Sequence, residues 1–282
     1  MVFSHARRNE LFQVFGSQLY DIMFFCKLVK NKSFLVATGV DLNFKYGLEN
    51  EVIDLKHANS KCESFISSDN LTITSGAVGG IINGSPVICG GRNLNGYAEQ
   101  NCTIFRKEGN TNFEMFEKRV AASSVVLNQT TLWIVGGIDP TASMHNSTEF
   151  ITGESSVKGP SLPFFIKNHC MVKINETAIY IIGGVLNISL NDTAWIKRLS
   201  NKTWIINPEK DFQMTEGPEL TVPRSGHSCG KFRTNGKFII VVAGGYVSPI
   251  WLDSVEFLDM SSSIGWKLGK VELLGELKTS IE

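Results

Sequence analysis

Leu132-Trp133-Ile134-Val135-Gly136-Gly137 and, 47 residues later, Ile179-Tyr180-Ile181-Ile182-Gly183-Gly184 have the same form: a β-rich apolar run closing on paired glycines. Three other stretches match them. These are Phe34-Leu35-Val36-Ala37-Thr38-Gly39, Val87-Ile88-Cys89-Gly90-Gly91 and Phe238-Ile239-Ile240-Val241-Val242-Ala243-Gly244-Gly245, the first with Thr38 in place of one glycine. The closing glycines lie 52, 46, 47 and 61 residues apart. Recurrence at that period, with strand-forming residues in every copy, predicts a small β-sheet module repeated along the chain.

Working upstream, each run follows a second apolar segment and a short turn that starts on asparagine: Asn31, Asn83, Asn128, Asn175 and Asn235. Asparagine tolerates the left-handed backbone of tight turns, so each pair of segments reads as a β-hairpin. Downstream, third strands are expected at 51–55, 102–105, 147–151, 193–196 and 253–258. Outer strands are expected at 113–116, 203–206 and 265–268, with Trp204 and Trp266 packing between neighbouring modules. Pro160, Pro163, Pro218 and Pro223 fall between modules, where a residue without an N–H does no harm to a central strand. Four strands per module, set around an axis, is the architecture of a β-propeller, and no long helix is needed.

The pattern resembles the kelch-repeat family of β-propellers over roughly residues 20–270. The fullest copy is Pro223-Arg224-Ser225-Gly226-His227 followed by Gly244-Gly245 and Trp266; Arg119 and His169 repeat parts of it. The resemblance implies an all-β, kelch-type propeller spanning 20–282. Residues 1–19 would then add an outer strand to the last blade or stand apart from it. The sequence departs from the family in the first module's missing glycine and in the scarcity of tyrosine after the glycine pairs. Kelch propellers usually have six or seven blades and five are counted, so either a short ring closes or the chain lacks one blade of a six-bladed parent.

Composition narrows the function. With 27 Lys and Arg against 27 Asp and Glu there is no net charge and no basic track, which argues against nucleic acid as a partner. No run of about eighteen apolar residues offers a membrane-spanning helix. Near the start, Arg7-Arg8 precedes Leu11-Phe12-Gln13-Val14-Phe15, but Gln18 and Asp21 interrupt the run, a poor match to a secretory leader.

Asn-x-Ser/Thr acceptors occur at Asn31, Asn70, Asn83, Asn101, Asn128, Asn146, Asn175, Asn187, Asn191 and Asn201. The chain's 21 Asn and 43 Ser or Thr would give about three by chance, an excess that a shared preference for turns does not explain. Several mark the same inner turn of successive modules. The expectation is a glycoprotein of the secretory route or cell exterior, the cytoplasm being the alternative. Of the six cysteines, Cys89 and Cys102 end one strand and begin the next, within disulfide reach, with Cys62 a competitor for either. Cys26, Cys170 and Cys229 are expected to face the packed interior.

No Cys-x-x-Cys, zinc-type Cys/His spacing, Gly-x-Ser-x-Gly elbow or phosphate-cradling glycine loop is present. The expectation is a non-enzymatic module, without cofactor, that binds a protein or glycan partner through the loops at 92–100, 139–146, 185–192 and 246–253. Two rivals follow from the resemblance. One is a copper enzyme resembling galactose oxidase, for which the five tyrosines (Tyr20, Tyr46, Tyr97, Tyr180, Tyr246) form no evident ligand set. The other is an intracellular kelch adaptor for ubiquitin ligation, which would carry an added α-helical domain.

Overall fold

The computed structural model describes residues 76–270, apart from 94, 107–108, 190–194, 235 and 263. It also describes strands β1 (Met23–Val29), β2 (Lys32–Thr38), β3 (Glu51–Asp54) and β4 (Glu63–Ser64) ahead of them. Those four strands form one antiparallel sheet in chain order, here sheet I. Sheet II is β5 (Val78–Ile82), β6 (Ser85–Cys89), β7 (Asn101–Ile104) and β8 (Thr111–Glu114). Sheet III is β9 (Ser123–Asn128), β10 (Thr131–Val135), β11 (Thr148–Thr152) and β12 (Ser155–Lys158). Among the described residues the only helical piece is a 3-10 turn at Pro208–Lys210.

The next module is interrupted. β13 (Phe165–Lys167) precedes the inner hairpin β14 (Cys170–Asn175) and β15 (Ala178–Ile182). The chain then leaves Gly184 to make a ribbon, β16 (Val185–Ser189) and β17 (Trp195–Leu199), which pairs with β13. Only afterwards do β18 (Thr203–Asn207) and β19 (Gln213–Glu216) complete sheet IV in the order β14-β15-β18-β19. This corrects the reading of 193–196 as the third strand and 203–206 as the fourth. Alternating polarity identifies a strand but not its partner, and the stretch after Gly184 is long enough to pair with itself. Sheet V is β20 (Ser228–Thr234), β21 (Lys237–Ala243), β24 (Ser254–Asp259) and β25 (Lys267–Lys270). A small hairpin, β22 (Tyr246–Val247) with β23 (Ile250–Trp251), is set between its second and third strands.

The first strands of successive sheets are neighbours: β1 beside β5, β5 beside β9, β9 beside β14, β14 beside β20. Apolar side chains therefore fill the spaces between sheets. On β10, Leu132 and Ile134 join Val87, Cys89, Cys102 and Ile104 toward sheet II, while Trp133 and Val135 join Met171, Ile179 and Ile181 toward sheet IV. On β15, Tyr180 and Ile182 turn the other way, to Cys229, Ile240 and Val242 of sheet V. Alternation along a strand normally gives one buried and one wet face. Here both faces are buried, which is why these runs are continuously apolar. Trp204 and Trp266 lie in the cores between III and IV and between IV and V, as their positions in the sequence suggested.

Candidate functional site

The glycine pairs follow the second strands of sheets II to V, and their backbone explains them. Gly90-Gly91, Gly136-Gly137, Gly183-Gly184 and Gly244-Gly245 all have positive φ, from 60° to 100°. Gly183 also has no room to spare: a Cβ there would lie 2.7 Å from the ring carbon Cε1 of His227 and 2.8 Å from the Arg224 carbonyl oxygen. Gly39 lies outside the described residues. The second glycine of the first three of these pairs donates its N–H to the next module: Gly91 to Arg119 O (2.7 Å), Gly137 to Ile166 O (2.8 Å), Gly184 to Arg224 O (2.8 Å). The sheets are thus tied together where their loops emerge.

A second line of backbone bonds runs beside the first. Gly76, Ala121, Asn168 and Gly226 share a left-handed φ of 54–63°. The N–H of Ala121 donates to Gly76 O (3.0 Å), that of Asn168 to Ala121 O (2.9 Å) and that of Gly226 to Asn168 O (2.9 Å). Ala121 and Asn168 each hold a conformation that costs an L-residue about 1–2 kcal/mol, offset by these bonds.

Behind the glycine pairs sit two buried ion pairs. Arg119 Nε donates to Glu149 (3.0 Å) and its Nη1 to the carbonyl of Gly136 (2.8 Å); Arg224 donates to Glu256 (2.7 Å) and to the carbonyl of Gly244 (2.8 Å). The carboxylates complete the set by accepting backbone N–H groups, Glu149 from Phe116 and Glu117, Glu256 from Thr221 and Val222. Sheet IV lacks the pair. Ile166 holds the backbone position of the arginines, Trp204 stands opposite Ile181 as Glu149 stands opposite Ile134, and Phe164 packs on Trp204. His169 and His227 are likewise equivalent, each against a glycine pair of the preceding sheet. Burial holds both imidazoles at a pKa of about 3, with the charge of Arg224 adding to the effect at His227, so both are neutral at physiological pH.

Cys89 and Cys102 face each other across β6 and β7 and form a disulfide with a Cα–Cα distance of 4.0 Å. Cys170 and Cys229 are buried, as expected, but they also form a disulfide that joins the innermost strands of sheets IV and V (Cα–Cα 6.0 Å). Sequence reasoning missed it because the two are 59 residues apart, and only their matching positions in consecutive repeats could have suggested the contact. Cys62 lies outside the described residues. Cys26 falls on β1.

The glycan acceptors divide by what their amides do. Asn83, Asn128 and Asn175 are exposed at inner-hairpin tips, at the end opposite the glycine pairs. In the last two, Oδ1 accepts the N–H and the hydroxyl of Thr130 or Thr177 at 2.9–3.0 Å. Asn146 and Asn201 instead donate Nδ2 to the carbonyls of Leu162 (3.1 Å) and Leu220 (3.3 Å), pinning the linker into the next module. Asn101 Nδ2 reaches Glu99 at 3.5 Å, and Asn187 lies within β16. Asn31, Asn70 and Asn191 lie outside the described residues.

The loops at 92–100, 139–146, 185–192 and 246–253 leave the glycine pairs at a common end, with residues 94 and 190–192 of them undescribed. Their exposed large side chains include Tyr97, Ile250 and Trp251. Asp139 caps its own turn, accepting from the N–H groups of Thr141 (2.7 Å) and Ser143 (2.9 Å). Among the described residues no three His, Cys, Asp or Glu gather as metal ligands, and no helix is long and apolar enough to cross a membrane. No family model matches the chain, and no curated protein is found similar to it.

Proposed function

We propose that the protein is a non-enzymatic docking module, a kelch-type β-propeller whose loop end binds a protein or glycan partner outside the cell or within the secretory route. The observation that carries this reading is the common end to which the glycine pairs deliver their loops. A frame tied by backbone bonds presents exposed Tyr97, Ile250 and Trp251 there. Binding residues are expected on loops held by a rigid scaffold. The propeller part is supported by the four-stranded meanders of sheets I to V, by their neighbouring first strands and by the apolar filling between sheets. The two disulfides support an oxidising compartment, since thiols stay reduced in the cytosol.

A photo-reactive residue in place of Tyr97 or Ile250, compared with one in place of Glu176 at a hairpin tip, tests this in the protein's native fluid or tissue. Adducts from the loop end alone are expected. Adducts from the hairpin tips alone, or from neither end, would overturn it.

A further inference from the structure

We propose that Lys167, Lys197 and Arg92 form an anion-binding site at the loop end that takes the carboxylates of an acidic peptide segment flanked by apolar residues. This rests on the docking reading above and names the chemistry of the partner.

The register of the inserted ribbon brings two of the cations together. Lys167 of β13 lies opposite Val185, and Val185 opposite Leu199; two residues along, Phe165 faces Asn187, and Asn187 faces Lys197. Side chains two apart on a strand share a face, so Lys167 and Lys197 lie on the same side of this ribbon. Arg92 comes from a different module, as the first residue after Gly91; it bridges to Ala98, and Phe165 of β13, on the same face as Lys167, packs on the cluster that contains Ala98. Lys167 is half-buried, and its ammonium is held below its usual value by burial and then by the charges of Lys197 and Arg92.

No carboxylate offsets that repulsion among the described residues. Other half-buried lysines are provided for: Lys173 pairs with Glu176 at 2.7 Å, and Lys231 donates to the Ile174 carbonyl at 2.8 Å. Asp253, exposed in the last of these loops, is not among the charges that act on Lys167, and three other acids of this end are already engaged. Glu99 accepts from Asn93 and Asn101, Glu117 from Arg119, and Asp139 from its own turn. Three convergent cations, one of them partly desolvated, are an arrangement that an incoming anion relieves.

The surroundings favour a peptide. Tyr97, 65% exposed, stands in the Arg92 turn, and Ile250 and Trp251 are 60% and 55% exposed on β23 at the same end. A sulfated polysaccharide or other linear polyanion would call for a longer basic track, and the chain has no net charge to extend one.

The test uses the full chain carrying Asn187→Gln and Asn191→Gln, so that no sugar is attached within residues 185–199. The probe is a short fluorescein-labelled peptide in which glutamates alternate with leucine and phenylalanine, followed by anisotropy. Saturable binding that weakens with salt is expected. Affinity should fall about tenfold on Lys167→Gln, on Lys197→Gln, or when the peptide's glutamates become glutamines, and stay unchanged on Lys158→Gln in β12. Lys197 and Arg92 are exposed, so Lys197→Gln and Arg92→Gln carry the test if Lys167→Gln does not fold. Absence of saturable binding, indifference to the Lys197 and Arg92 changes, equal binding of the glutamine peptide, or tighter binding of heparin would each overturn the proposal. Loop-end photo-adducts that persist in Lys197→Gln would leave the docking reading intact while removing this one.

Discussion

Phe164 and Trp204 pack with ring centroids 4.2 Å apart at the place where sheets III and V hold the ion pairs Arg119–Glu149 and Arg224–Glu256. One frame thus accepts two chemistries at the same node. The difference lies in what remains when one partner is lost.

Replacing Glu256 by Gln should leave a fully buried guanidinium without its counter-charge and cost about 3–5 kcal/mol. Trp204→Ala should cost a similar amount, about 3–5 kcal/mol, through the cavity it leaves. The two separate in the double variants: Arg224→Met should restore much of the stability lost in Glu256→Gln, whereas Phe164→Ala should deepen the loss in Trp204→Ala. Urea denaturation of the four proteins checks this.

Gly183→Ala and Gly153→Ala compare sites of nearly equal φ, +60° and +59°. At Gly153 a Cβ meets nothing within 4 Å, so the cost is the left-handed conformation alone, about 1–2 kcal/mol. At Gly183 the His227 ring and the Arg224 carbonyl must move as well, and the loss should be larger by at least about 1 kcal/mol. Equal thermal shifts would show that sheet V yields at no cost.

Both disulfides close loops in the unfolded chain. Chain-entropy arithmetic gives about 3 kcal/mol for Cys89–Cys102 and about 4 kcal/mol for Cys170–Cys229. Paired Cys→Ser variants should lower the urea midpoint in that order, and peptide mapping of the unreduced protein should recover both linkages.

His169 and His227 titrate near 3 in the fold, against about 6.5 in the unfolded chain. The unfolded state therefore binds more protons below pH 6.5. Their contribution is fully present above that pH and is lost as pH falls toward 3. By pH 4.5 each should have removed on the order of 2–3 kcal/mol. Stability measured from pH 7 to 4.5 should fall accordingly, and His169→Phe should flatten the slope.

Glycopeptide analysis of the protein from its native source should find sugar at Asn128 and Asn175, which are exposed, and none at Asn146 and Asn201, whose amides hold the linkers. Occupancy of the latter two would mean that these linkers open before folding is complete.

The repeated runs before the glycine pairs were legible because the central copies are buried on both faces, which leaves continuous apolar sequence such as Ile179–Ile182 and Leu132–Val135. The Cys89–Cys102 bridge could be read as well, since a short hairpin sets the two opposite each other. Pairing across distance could not. The ribbon after Gly184 has the alternation of any strand, so its residues 193–196 read in sequence as the third strand of sheet IV. Cys170–Cys229 and the convergence of Lys167, Lys197 and Arg92 depend on which modules adjoin, and no local pattern encodes that. Lys167 in particular has ordinary neighbours in sequence, Ile166 and Asn168.

The inserted ribbon β16–β17 stretches one repeat to 61 residues while sheet IV keeps all four of its strands. Growth at that exit alters what is displayed and leaves the support as it was. An engineer seeking new specificity therefore has a natural grafting point after Gly184, and descendants of this chain could diversify there without rebuilding anything beneath.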